Sequence, residues 1–193
     1  MELSDSKQVI VERHNKAVYL DGDRIIKVFK AEKPASDIFN EALNIARAIE
    51  AGVRVPKILE VSQVADGAWA LATEYVEGVT MRSLMDAAEG TDEYDKLLEQ
   101  FVDFQIEIQS TPAPELMKDQ KTKIAGMVGK APGLDPSVRY DLQMRADRMA
   151  PGRAICHCDF NPSNVIVTED GTLYACDWTH VTRGLPEADA AMT

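Results

Sequence analysis

Apolar positions along the chain first form short runs and then fall into helical stripes. Val9 to Val11, Ala17 to Leu20 and Arg24 to Lys30 (RIIKVFK) are apolar and β-branched enough to predict strands. Asp21-Gly22 between the last two is a tight-turn signal, because both residues tolerate positive φ. Pro34 and Ser36-Asp37 then predict a helix start. Ile38, Leu43, Ile45, Ala46 and Ile49 recur at helical spacing until Gly52 closes the segment. Residues 53–61 read as a loop into a strand, Asp66-Gly67 as a turn, and Trp69 to Val76 as a strand ending at Glu77-Gly78. Beyond that point the period changes. Tyr94, Leu97, Leu98, Phe101, Gln105 and Ile108 define one helical stripe, which Pro112 and Pro114 end. Helical patterning is weaker around 116–128 and 136–149. Val165 to Val167 and Leu173 to Cys176, joined by Glu169-Asp170-Gly171, predict a hairpin. Strands first and helices later predict an α+β protein of two lobes, residues 1–78 and 79–193, with the junction near Glu77-Gly78.

Size and composition narrow the function class. Area scaling for 21.3 kDa gives about 9,000 Å² exposed when folded, enough burial for a sizeable core. No apolar run approaches the length of a membrane span, and the N-terminus carries no stretch suited to a signal peptide. The 193 residues hold 32 acidic and 21 basic side chains, a net charge of −11. That balance argues against nucleic acid and against anionic membrane surfaces. It suits a cationic small substrate, and it reads equally well as a solubility device. The three cysteines, without a secretion signal, read as reduced thiols of a cytoplasmic protein.

The chemistry concentrates in His157-Cys158-Asp159-Phe160-Asn161-Pro162-Ser163-Asn164, the hairpin that follows, and Asp177-Trp178. A hairpin brings its ends together, so Asn164 and Asp177 should meet. Two oxygen-bearing side chains at one hairpin mouth suit Mg²⁺, which takes oxygen ligands and shares substrate phosphates. Asp159, just upstream, is placed to accept a proton from an attacking hydroxyl. Cys156, His157, Cys158, Cys176 and His180 are also zinc-ligand types. Adjacent residues seldom converge on one tetrahedral ion, however, and the C-x₂-C spacing is absent.

The stretch CHCDFNPSNVIV, followed by DWTHVTRGLPEADAAMT, resembles the catalytic segment of the aminoglycoside phosphotransferase and choline kinase-like families, in particular a bacterial aminoglycoside phosphotransferase branch. The resemblance implies the bilobal protein-kinase-like fold and transfer of a γ-phosphoryl group from ATP or GTP to a hydroxyl of a small molecule. It favours aminoglycosides as acceptors. It implies Asp159 as catalytic base, and Asn164 and Asp177 as Mg²⁺ ligands. Lys27 matches the family's nucleotide lysine and Glu41 its partner, an ion pair that kinase chemistry needs. Thr73 to Gly78 resembles the hinge, where backbone groups of Glu74 and Val76 would pair with the nucleotide base. His157 would brace the loop, Trp178 would pack beneath the metal site, and Asp189 would tie the last loop to a helix start.

Four features depart from the family pattern. Cys158 stands where the family has glycine. Asn161 and Ser163 replace its commoner His and Gly. The phosphate-covering loop near Arg13-His14-Asn15-Lys16 has no glycine. The sequence also stops at Thr193, where relatives continue with helices, so the helical lobe is expected to be shortened. The glycine-free loop, Cys158 and the shortened lobe keep open a second reading, a nucleotide-binding pseudokinase-like protein without transfer.

Overall fold

In the computed structural model, which describes residues 1–193, the first half of the chain forms an antiparallel sheet crossed by one helix. The strands are β1 (Gln8–Glu12), β2 (Lys16–Asp21), β3 (Arg24–Phe29), β4 (Ile58–Gln63) and β5 (Trp69–Glu74), in the spatial order β1-β2-β3-β5-β4. Helix α1 (Ala35–Glu50) is inserted between β3 and β4. The β2–β3 turn is one residue later than the sequence suggested. Asp21 pairs with Arg24, so Gly22 and Asp23 make the turn, and only Gly22 has positive φ, at 65°. Glycine at the first central position and an ordinary residue at the second is the hairpin solution that matches strand twist.

Helix α1 starts directly after Pro34, three residues before the predicted Ile38. Its buried face also differs. Ile38, Ala42, Ile45 and Ala48 face the core, whereas Leu43 and Ile49 are exposed. Glu41 and Asn44 occupy the inner face instead, because both make polar contacts there.

The second half is mainly helical. β6 (Val79–Thr80) leads into α2 (Met81–Ala87) and the long α3 (Asp92–Ser110). Next come α4 (Gln120–Lys130) and α5 (Pro136–Arg148), then the short strand β7 (Ala154–Cys156). The hairpin β8 (Val165–Val167) and β9 (Leu173–Ala175) forms where the sequence predicted it, with β6 alongside. Strand β10 (Thr182–Gly184) pairs with β7, and α6 (Pro186–Ala190) follows. α3 buries Leu97, Phe101, Phe104, Gln105 and Ile108. Leu98, placed in the stripe by spacing, points to solvent together with Val102 and Ile106.

The result is a mixed α+β fold with a β-rich N-terminal part and a helical C-terminal part. One continuous apolar core joins them, from Phe29 of β3 through Ile38 and Ile45 of α1 to Phe160, Trp178 and Val181. The accessible surface is 11,155 Å², above the compact-monomer expectation. Helix α5 explains part of the excess, since it buries only Ala146. No helix is long and apolar enough to cross a membrane.

Phe160 pins the functional loop to this core. It is 1% exposed, stacks on Phe101 with ring centroids 4.7 Å apart, and meets Phe104 edge-on at 6.0 Å. Truncating a buried aromatic loses its contacts and leaves a cavity, so Phe160→Ala is expected to cost about 3–5 kcal/mol of folding stability. Urea denaturation checks this, with a loss under about 1 kcal/mol counting against the packing described.

Candidate active site

Lys27 sits in the middle of β3, held by strand pairing on both sides, opposite Val18 of β2 and Leu71 of β5. Its Nζ donates to Glu41 Oε1 at 2.5 Å and to Asp177 Oδ1 at 3.1 Å. Glu41 comes from the buried face of α1 and is 1% exposed. Asp177 follows β9, in the left-handed region at φ 61°. Burial alone would lower the Lys27 pKa, but the carboxylates of Glu41 and then Asp177 raise it above its usual value. Burial likewise opposes ionisation of Asp177. The Lys27 charge and the Lys16 hydrogen bond outweigh it and hold the carboxyl well below the usual range.

Two groups in this network were not singled out from the sequence as members of it. Thr179 Oγ1 lies between the two carboxylates, 2.8 Å from Glu41 Oε2 and 2.7 Å from Asp177 Oδ1, and its one proton serves either of them. The sequence signal was a hydroxyl two residues after the Asp177-Trp178 step. Lys16 Nζ, at the start of β2, lies 2.8 Å from Asp177 Oδ2. The turn before it is closed on itself, because Arg13 N–H donates to Lys16 O at 2.8 Å. The glycine-free connection therefore contributes the Lys16 charge, while its Arg13 amide is already taken.

Asp159 and Asn164 form a second cluster. The amide nitrogen of Asn164 donates to Asp159 O at 2.9 Å and to Asp159 Oδ2 at 3.3 Å. Only the nitrogen can donate to a carbonyl, so Asn164 Oδ1 is left free. Asn161 also donates to the Asp159 carboxylate, at 3.2 Å. The hairpin links the clusters through the backbone: Cys176 N–H donates to Asn164 O at 2.8 Å, one residue before Asp177. Asn164 Oδ1 and the ionised Asp177 are oxygen donors of the kind Mg²⁺ takes with phosphates and water. No three His, Cys, Asp or Glu side chains gather as a metal site. Burial raises all three thiols, Cys176 to about 12, so they stay protonated.

Two residues brace the loop. His157 is fully buried, and its Nε2–H donates to Cys176 O at 3.0 Å. Its Nδ1 has no partner, and burial lowers its pKa. Cys158 has φ 61°, in the left-handed region that favours glycine. Its N–H donates to buried Asp189 Oδ1 at 2.6 Å, and Gln109 donates to the same carboxylate at 2.9 Å. Trp178 is 1% exposed and donates to Ala175 O at 2.9 Å. At the other end of the sheet, the Glu74 N–H is committed to Lys57 O at 2.9 Å, while the Val76 N–H has no partner within the chain. Of the expected hinge groups, Glu74 can thus offer only its carbonyl.

Two cavities lie near these elements. The larger, about 660 Å³, opens at the hairpin turn beside Glu77, Thr168 and Asp170 and does not reach the clusters above. The smaller, about 580 Å³, includes Asp159, Cys158 and His180 and one face of α4.

A sheet-borne lysine paired to a helix glutamate, facing a loop and hairpin that carry Asp, Asn and Asp, defines the protein-kinase-like class of phosphotransferase. The model of the phosphotransferase enzyme family matches residues 8–193, and the chain belongs to that family. Solved structures agree on the fold. A thermostable mutant of aminoglycoside phosphotransferase APH(4)-Ia superposes with a TM-score of 0.68 at 15% identity, covering 97% of this chain and 71% of that one. A choline/ethanolamine kinase family protein from Mesorhizobium loti gives 0.65 at 17%, covering 98% and 63%. Aminoglycoside phosphotransferase APH(3'')-Id from Streptomyces rimosus gives 0.63 at 21%, covering 96% and 75%. No curated sequence matches the chain.

Two stability predictions follow from this geometry. Lys27→Met leaves Glu41 charged, buried and unpaired, and is expected to cost about 3–5 kcal/mol in chemical denaturation, with much of it recovered in Lys27→Met/Glu41→Leu. Equal stability of the single and double variants would contradict the pairing. His157 refuses in the folded chain a proton that the unfolded chain accepts near 6.5. Stability is therefore full above that pH and is lost below it, at up to about 1.4 kcal/mol per pH unit. Denaturation at pH 7 and pH 5 should show this slope reduced by about one proton in His157→Gln.

Proposed function

We propose that this protein transfers the γ-phosphoryl group of ATP or GTP to a hydroxyl of a small molecule. The observation that carries the proposal is Lys27 bound at once to Glu41 and Asp177, with Asp159 and Asn164 joined to the same hairpin. Neighbours of the same fold support the nucleotide. One APH(4)-Ia structure is a ternary complex with ADP and hygromycin B, another holds AMP-PNP, and a further aminoglycoside phosphotransferase holds GDP and kanamycin. The same complexes support aminoglycoside-like acceptors as the first class by resemblance.

Position supports the following roles. Lys27, braced by Glu41, grips the α- and β-phosphates as in kinases generally. The Glu74 carbonyl and the Val76 N–H receive the base. Asn164 Oδ1 and Asp177 would hold Mg²⁺, which when bound neutralises charge on the phosphates. Lys16 and Lys27 supply positive charge beside Asp177 and the phosphates. The hydrogen bonds from Asn161 and Asn164 orient the Asp159 carboxylate, which positions the acceptor hydroxyl and takes its proton. Little covalent work falls to the protein, and positioning and fixed charge supply most of the rate.

A second reading, nucleotide binding without transfer, is favoured by two observations. The β1–β2 turn is closed on itself, and Cys158 is held at a backbone position suited to glycine. It would show as ATP-raised melting with no product from any hydroxyl acceptor.

Asp159→Ala tests the main reading. The phosphate grip lies elsewhere, so nucleotide binding measured by calorimetry should stay within about twofold while turnover falls by about 10²–10⁴. Unchanged turnover would remove Asp159 from the base role.

A further inference from the structure

The cavity beside Asp159 has a charge opposite to that of the molecule as a whole. The chain carries −11, with 32 acidic side chains against 21 basic ones. The lining of this cavity reverses that ratio: Lys118, Lys123 and Lys130 stand against one carboxylate, Asp159. Thr122, Lys123, Gly126, Met127 and Lys130 all face it from α4, three or four residues apart along one face. None of the three lysines belongs to an ion pair, although ten ion pairs occur elsewhere in the structure. Lys123 is half-buried, and its Nζ is held by the carbonyl of His180 on the far wall. Burial, with the like charge of Lys118 adding, lowers the Lys123 pKa, against the opposing pull of Asp189 and Asp159. Helix α4 is fixed in this position from below. Buried Gln120 accepts from Leu185 N–H at 2.9 Å, and Gly184 lets the two segments approach, since a Cβ there would lie 2.2 Å from Gln120 Oε1.

We infer that the acceptor is an alcohol bearing an anionic group, a carboxylate or a phosphate, held by Lys118, Lys123 and Lys130 while its hydroxyl faces Asp159. The inference rests on the phosphotransferase reading above and names the substrate class of that site. A polycationic aminoglycoside would meet three ammonium groups here, none of them in an ion pair, beside the one carboxylate, Asp159. An anionic alcohol supplies counter-charge to the three lysines while its hydroxyl reaches Asp159 in the same cavity. The balance of the step is that of any kinase: the acceptor oxygen forms a bond to the γ-phosphorus, the bond to the β-bridging oxygen breaks, the hydroxyl proton passes to Asp159, and the nucleoside diphosphate leaves.

The test measures transfer from γ-labelled ATP to three acceptor panels: sugar phosphates with hydroxy acids, neutral polyols, and the aminoglycosides kanamycin and hygromycin B. Lys118→Glu and Lys130→Glu serve as probes, since both side chains are exposed and make no hydrogen bond, so melting temperature and the KM for ATP should not move. The inference predicts the highest kcat/KM in the anionic panel, the sugar-phosphate and hydroxy-acid arms telling phosphate from carboxylate. It also predicts an acceptor KM raised about tenfold per charge reversal at low salt. Equal or better transfer to aminoglycosides or polyols would overturn the inference and leave the phosphotransferase reading standing. An anionic-acceptor KM unmoved by both reversals would overturn it too. Bound nucleotide with no product in any panel would remove the transfer reading and the inference with it.

Discussion

One ammonium group, Lys27 Nζ, joins parts of the chain 150 residues apart. It is placed by a central strand, met by Glu41 from the only helix inserted in the sheet, and met again by Asp177 beyond the C-terminal hairpin. Thr179 closes the loop, its hydroxyl within hydrogen-bond distance of both carboxylates. Taking such charges out of water is costly unless geometry and further hydrogen bonds compensate. The network thus acts as a constraint on the whole fold: β3, α1 and the β8–β9 hairpin must be in register before it can form. The continuous core from Phe29 to Trp178 supplies the apolar packing that holds those three elements against one another.

Much of this was legible in the sequence, for identifiable reasons. Period-two and period-three-to-four patterns predicted the sheet, α1, α3 and the β8–β9 hairpin because their apolar faces are large. The candidate loop was readable because Asp159, Asn164 and Asp177 are locked to one hairpin, where spacing translates directly into distance. Less legible were groups whose placement depends on long-range packing. Glu41 and Asn44 take core positions that apolar periodicity would give to Leu43 and Ile49, since buried polar contacts override the stripe. Leu98 falls on the wrong side of α3 for the same kind of reason: two apolar faces share one helix and local spacing cannot rank them. Short elements such as β6, α2, β7 and β10 carry too few residues for any period to show.

Composition alone leaves the acceptor class open. An overall charge of −11 suits a cationic ligand and plain solubility alike, while three lysines line the cavity beside Asp159. Long-range charge steers encounters, whereas recognition is decided within a few ångströms of the reacting group. Family resemblance and local charge point to opposite acceptor classes, and the physical distinction between them is which ion completes the cavity.

The central claim is that Lys27, Asn164 and Asp177 form one nucleotide–metal site facing Asp159. A crystal structure with AMP-PNP and Mg²⁺ tests it most directly. The account predicts the metal on Asn164 Oδ1 and the Asp177 carboxylate, the α- and β-phosphates on Lys27, and the γ-phosphate toward Asp159. A nucleotide seated elsewhere, or Asp177 bound only by Lys16 and Lys27 with no metal beside it, would contradict the account.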